Sequence, residues 1–185
     1  MLVVGLVAPR AVGALELVAD EEEGVGQAVG RAMGALGWRG VAVERALEVG
    51  AAAGVVALEG DDGLVVGRAL GGGRLEAGAW LGAVALEESR LAVEVERCER
   101  LGDGGHSVGL WQVWRPSSAS RAAMCAGGRA GLEAQARAGL ERSAQCARGG
   151  ARGAMGLARC YVGGRDGGRR AGTWARVVRL ARGGR

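Results

Sequence analysis

The sequence predicts a mainly α fold of α+β type, with a small loop or hairpin region inserted among its helices. Apolar residues recur at helical spacing on both sides of Gly71-Gly72-Gly73, strand-like runs are short, and glycine-rich stretches separate the periodic segments. A chain of 185 residues accommodates one sizeable core, or one core with a smaller added element.

Met1-Leu2-Val3-Val4-Gly5-Leu6-Val7-Ala8 is too short and too poor in basic residues for a signal peptide, and reads as a buried strand or a helix lead-in. Helical periodicity covers Val25–Leu36 and Val41–Ala53, joined by a connection at Gly37-Trp38-Arg39-Gly40. Val55–Leu58 and Leu64–Val66 flank Glu59-Gly60-Asp61-Asp62-Gly63, which reads as a hairpin. The glycine triplet then suggests a boundary near residue 72, separating an N-terminal helical extension (1–72) from a second domain (73–185). A helix from Arg74 to Glu88 places Leu75, Ala79, Leu81 or Gly82, and Leu86 at core spacing, and residues 89–108 read as a loop-rich or hairpin insertion. Arg115-Pro116-Ser117-Ser118 is a helix start signal. Helices are expected at Ser118–Ala126, Ala130–Ala147, Ala151–Tyr161 and Ala171–Leu180, with Gly163–Gly168 as a loop.

Lysine, isoleucine, asparagine and phenylalanine are absent and 37 residues are glycine, a bias that a GC-rich genome explains. Without phenylalanine, the five tryptophans carry much of the apolar volume. The net charge of +4 conceals an asymmetry, since residues 1–114 hold 9 arginines against 17 acids and residues 115–185 hold 15 against 3. Such a basic half suits a polyanionic partner. Zinc-finger spacing, RNP-like aromatics and a long basic helix are all missing, which argues against nucleic acid, and no apolar run reaches the roughly 18 residues of a membrane span. Cys98, Cys125, Cys146 and Cys160 match no zinc pattern, His106 being the sole histidine. They read either as four buried thiols or as two disulfides, for which Cys125–Cys146 with Cys98–Cys160 is the expected pairing. Disulfides would place the protein outside the reducing cytosol. No metal or cofactor is expected.

Chemistry concentrates between Glu87 and Trp114. Glu87-Glu88-Ser89 ends an apolar helix, and Gly102-Asp103-Gly104-Gly105-His106-Ser107-Val108-Gly109-Leu110-Trp111-Gln112-Val113-Trp114 follows. This succession resembles the active-site region of the lysozyme-like muramidases, in particular goose-type lysozymes and the catalytic domain of soluble lytic transglycosylases. In those families Glu-Ser ends a helix, then come Gly-Asp-x-Gly and Gly-Leu-Met-Gln. Downstream, Ala158-Arg159-Cys160-Tyr161-Val162-Gly163 resembles the transglycosylase pattern Ala-x-Tyr-Asn-Ala-Gly. The resemblance covers about residues 74–181.

It implies a lysozyme-like domain that cleaves the β-1,4 bond between MurNAc and GlcNAc in peptidoglycan, with no cofactor. Glu88 inherits the role of general acid, with apolar neighbours raising its pKa, and Glu87 is the competing candidate. Asp103 either positions the attacking water or caps a glycine-rich turn. Ser89, Ser107, Gly109, Gln112, Trp114 and Tyr161 are the expected substrate-side residues. Trp111 suits the core better and Trp114 the cleft, where an indole face stacks on a pyranose ring. His106 either donates to a sugar or is incidental, and Tyr161 alternatively just precedes a Gly-Gly helix end.

The sequence departs from the family at three places: Trp111 stands for the methionine, Val162 for the asparagine, whose sugar contact is therefore not carried over, and Trp114 where goose-type enzymes often carry a further aspartate. The last keeps lytic transglycosylase level with hydrolase, because water-mediated inversion uses a second carboxylate. An inactive lysozyme-like wall-binding or structural module, and an unrelated basic helical protein, are the other readings. The expected setting is extracellular, periplasmic or virion-associated, with phage favoured.

Overall fold

The computed structural model describes residues 24, 26–34, 42–163 and 166–181. It is mainly helical with one two-stranded antiparallel sheet. In chain order the elements are α1 (26–34), α2 (Val43–Leu58), α3 (Asp62–Ala69), α4 (Arg74–Ser89), α5 (Val93–Glu96), a 3-10 turn (Asp103–Gly105), β1 (Ser107–Val108), β2 (Val113–Trp114), α6 (Ser118–Met124), α7 (Gly128–Arg148), α8 (Gly153–Val162) and α9 (Asp166–Ala181).

The helix α4 is the centre of the molecule. Every residue from Ala77 to Leu86 is buried, as expected of a helix that is apolar all round, and α2, α3, α7 and α9 pack against it. Its start is fixed by the Gly73 N–H, which donates to Glu76 Oε2 at 2.6 Å. Its end is abrupt. Arg90 and Leu91 both adopt left-handed φ, 53° and 56°, and the Arg90 N–H closes on Leu86 O at 2.9 Å. Ser89 Oγ donates to Ala85 O at 2.7 Å and accepts from the Leu91 N–H at 3.1 Å, satisfying groups that the helix end would otherwise leave unpaired. Glu88 thus sits on the last turn of a rigid, buried element.

Tryptophan does much of the work that phenylalanine does elsewhere. Trp80, Trp111 and Trp174 are fully buried. Trp80 and Trp174 meet edge to face with centroids 4.6 Å apart, a favoured geometry for aromatic pairs. Trp80 Nε1 donates to Ser143 Oγ and Trp111 Nε1 to Leu81 O, both at 2.9 Å. Trp174 Nε1 has no partner among the described residues.

Several expectations are corrected. The segment 55–66 is not a hairpin: α2 runs on to Leu58 and α3 begins at Asp62. Val49, Ala52, Ala53, Val56 and Ala57 are all buried, so helical spacing continues through the valines that suggested a strand, and packing outweighs their β-preference. The stretch Gly163–Gly168 is not wholly a loop, because α9 starts at Asp166. The small sheet lies at residues 107–114, with Ser107 opposite Trp114 and Val108 opposite Val113. Gly71-Gly72-Gly73 joins α3 to α4, and one hydrophobic core containing Val56, Val66, Leu81 and Leu140 runs across that point. The expected N-terminal lead-in at 1–8 and the connection at Gly37–Gly40 lie outside the described residues.

Two disulfides are present, but not with the expected pairing. Cys98 bonds Cys125 and Cys146 bonds Cys160, with Cα separations of 5.6 and 5.7 Å. The first ties the segment after α5 to the end of α6, and the second ties α7 to α8. Among the described residues no helix is long and apolar enough to cross a membrane.

Candidate active site

The end of α4, the loop 102–116 and the helices α7, α8 and α9 surround an open cleft of about 560 Å³. Glu88, Asp103, Ser107, Gln112, Trp114, Tyr161 and Arg170 all line it. These residues come from four separate stretches of chain, so only the tertiary packing brings them together.

The side chain of Glu88 is 10% exposed, and Arg170 of α9 donates from Nη1 to its Oε1. Burial, the largest influence, pushes the carboxyl pKa up; Arg170 opposes this by hydrogen bond and charge, while Asp103 and Glu87 add to the rise through like-charge repulsion. The net shift is upward. Glu87, one residue earlier, does not line the cleft.

The loop opposite Glu88 is shaped by close approaches. Gly102 has no side chain because Gln112 Oε1 occupies that space, 1.7 Å from where a Cβ would lie. Gly109, at φ 72°, admits Gln135, whose Oε1 would be 2.6 Å from a Cβ there. Gln135 is fully buried. It accepts from the Leu110 N–H at 2.8 Å and donates to Glu96 O and Met124 O, each at 2.7 Å. One amide thus pins the middle of the loop and a residue near each cysteine of the Cys98–Cys125 bridge. Asp103, Gln112 and Arg115 hold left-handed φ of 46–48°, backbone strain of roughly 1 to 3 kcal/mol each that surrounding contacts must offset.

Asp103 Oδ2 accepts from Ser107 Oγ at 2.6 Å, so Ser107 orients the carboxylate. Gln112 lies at the cleft wall with Nε2 donating to Gly109 O at 2.9 Å. Trp114 is 55% exposed, flanked by the His106 ring at 5.1 Å and the Arg115 guanidinium at 5.2 Å from its centroid. Tyr161 donates to Trp111 O at 2.8 Å. Burial and the nearby Glu88 push its pKa up, so it stays a neutral phenol.

Two expected site residues lie elsewhere. Ser89 is buried and committed to the helix end, and Gly109 acts through the room it leaves for Gln135. His106 touches Trp114 and is not part of the cleft wall. Trp111 is in the core.

Arg170, Glu141, Arg142 and Gln145, which belong to no motif in the sequence, also line the cleft. A signal existed for α7: Ala138, Glu141, Arg142 and Gln145 share one helix face at positions i, i+3, i+4 and i+7. Arg170 carried none, having been placed at the edge of a loop. Among the described residues no group of three His, Cys, Asp or Glu is arranged to hold a metal ion. Comparison of the chain with protein-family models, curated proteins and solved structures finds no match.

Proposed function

We propose that the protein is a peptidoglycan-cleaving muramidase in which Glu88 is the general acid. The observation that carries this reading is the meeting of Glu88, Asp103, Gln112 and Tyr161 in one open cleft, with Glu88 shielded enough for its pKa to rise. An acid that is protonated closer to neutral pH can donate to the glycosidic oxygen as the bond to the anomeric carbon breaks. In a hydrolase, Asp103 orients the water that attacks that carbon. In a lytic transglycosylase, the hydroxyl on C6 of the same sugar attacks instead, closing a 1,6-anhydro ring. The exposed Trp114 face offers a stacking platform for a pyranose.

Two disulfides suit an oxidising setting, extracellular, periplasmic or virion-associated. One observation favours the alternative of an inactive wall-binding module: Arg170 donates to the Glu88 carboxylate and opposes the rise in pKa that burial causes.

The test is loss of turbidity of purified cell walls. Wild type and Glu87→Gln should clear them, and Glu88→Gln should fold normally yet lose at least about a hundredfold in rate, the usual scale of general acid catalysis. Inactive wild type would favour the binding module, and reversed variants would move the acid to Glu87. Mass spectrometry of the products separates the two chemistries, anhydro ends marking the transglycosylase and reducing ends the hydrolase.

A further inference from the structure

Ser107, Gln112 and Trp114 all line the cleft from one hairpin. Two strands of two residues cannot hold a hairpin in place by themselves, so its position is set from outside. The anchor is Gln135 of α7, which is fully buried and does not itself line the cleft. Its Oε1 accepts from the Leu110 N–H at 2.8 Å in the turn between the strands. Its Nε2 is committed to Glu96 O and Met124 O, so the amide cannot turn away from Leu110 without stranding buried polar groups.

From that turn two routes lead to the chemistry. The Gln112 N–H and Nε2 both donate to Gly109 O, at 3.0 and 2.9 Å, and Gln112 Oε1 rests against Gly102, the residue before Asp103. Along β1, Ser107 exchanges backbone hydrogen bonds of 3.0 and 3.1 Å with Gly102, and its Oγ donates to Asp103. Movement of the turn therefore carries Asp103 with it, and Asp103 is close enough to Glu88 to repel its charge. Ala138 and Arg142, three and seven residues after Gln135 on the same helix face, also line the cleft. Gln135 thus fixes the hairpin wall relative to the α7 wall.

We propose that Gln135 is a positioning residue for the reaction: by tying the hairpin to α7 it sets where Asp103 and Gln112 stand relative to Glu88, while touching no substrate itself. This inference rests on the muramidase reading above.

The experiment compares wild type with Gln135→Met, which keeps the length of the side chain but makes none of the three hydrogen bonds. Val56→Ala, a core substitution on α2 outside the cleft wall, controls for lost stability, and all are assayed where circular dichroism shows them folded. Misplacing reacting groups by about 1 Å costs roughly a hundredfold, so kcat on soluble glycan strands should fall at least about tenfold in Gln135→Met and less than about twofold in Val56→Ala. The Glu88 carboxyl carbon, followed by NMR, should titrate at lower pH in Gln135→Met than in wild type, because a displaced hairpin exposes Glu88 and takes Asp103 away from it. Val56→Ala should titrate as wild type does. Gly109→Ala disturbs the same contact from the other side, since its Cβ would lie 2.6 Å from Gln135 Oε1, and should reproduce both changes. With an active wild type, a kcat no lower than that of Val56→Ala, or an unmoved Glu88 midpoint, overturns the positioning role and leaves the muramidase reading standing. A wild type that cleaves no glycan overturns both. If neither hairpin variant folds, hydrogen exchange in wild type decides: the Leu110 amide should be as protected as those of α7, and exchange as fast as at exposed loop positions overturns the anchor.

Discussion

Glu88 is the residue at which burial and ion pairing oppose each other, and the upward shift means that burial prevails. The folded protein therefore holds this proton more tightly than the unfolded chain does. The contribution of Glu88 to stability is fully present below the ordinary glutamate pKa and is lost as pH rises through the raised one. Glu88→Gln carries no charge at any pH, so it should melt at a higher temperature than wild type at about pH 8, with the gain vanishing toward about pH 4. Thermal denaturation followed by circular dichroism at both pH values checks this. A lower Tm at the higher pH would mean that the lost Arg170 pairing outweighs the relief of burial. Cleavage by wild type should likewise decline as pH climbs through the raised Glu88 value, because the donor form disappears.

The elements around the cleft are braced unequally. Helices α4 and α7 are long and buried on their facing sides, but the loop 102–116 contains only a three-residue 3-10 turn and two strands of two residues. Its order rests on Gln135 and on the Cys98–Cys125 bridge, which closes a segment of 27 residues. Loop entropy assigns that bridge about 3.5 kcal/mol and the 14-residue Cys146–Cys160 bridge about 3 kcal/mol. The double variants Cys98→Ser/Cys125→Ser and Cys146→Ser/Cys160→Ser should thus lose comparable stability in urea denaturation. They should differ at the site: only the first should lower hydrogen-exchange protection across 102–116 and reduce wall cleavage under conditions where both remain folded. Unchanged protection there would show that the Gln135 hydrogen bonds hold the loop by themselves.

Across the whole molecule, the charge asymmetry of the sequence is partly folded away. Arg137 pairs with Glu59 and Arg148 with Asp62, so basic residues of α7 meet acids that precede residue 72. These pairs are exposed and contribute little individually, yet they neutralise some of the excess that separates the two halves. Arg115, beside Trp114, and Arg142 remain around the cleft. Capture of anionic wall polymer should therefore depend on salt, since surface charges act over about 10 Å at 0.1 M. Retention on purified walls should fall several-fold between about 0.05 and 0.5 M sodium chloride, while turnover of an uncharged chitooligosaccharide should change less than about twofold. Salt-independent retention would leave the arginines no part in wall capture.

Local rules were enough to read most helices and the position of Glu88. Apolar spacing, the Pro116-Ser117 start and the glycines around α4 act over a few residues, and the structure has Ser117 Oγ accepting from the Ser120 N–H at 3.1 Å as a helix cap. The order Glu88, Asp103, Gln112, Tyr161 was equally legible, because each belongs to a short motif. What no local rule reaches is partnership at a distance. Strand propensity in Val55–Leu58 yielded to burial against the core. The even cysteine count implied two bridges, but pairing depends on which helix ends pack together, and α8 returning along α7 puts Cys160 beside Cys146. Arg170 lies 82 residues from Glu88, and nothing near either residue encodes the meeting. Tertiary structure decided the partner of the acid because an ion pair is set by the packing of α9 on α4, a sum of many apolar contacts rather than a property of the two charges.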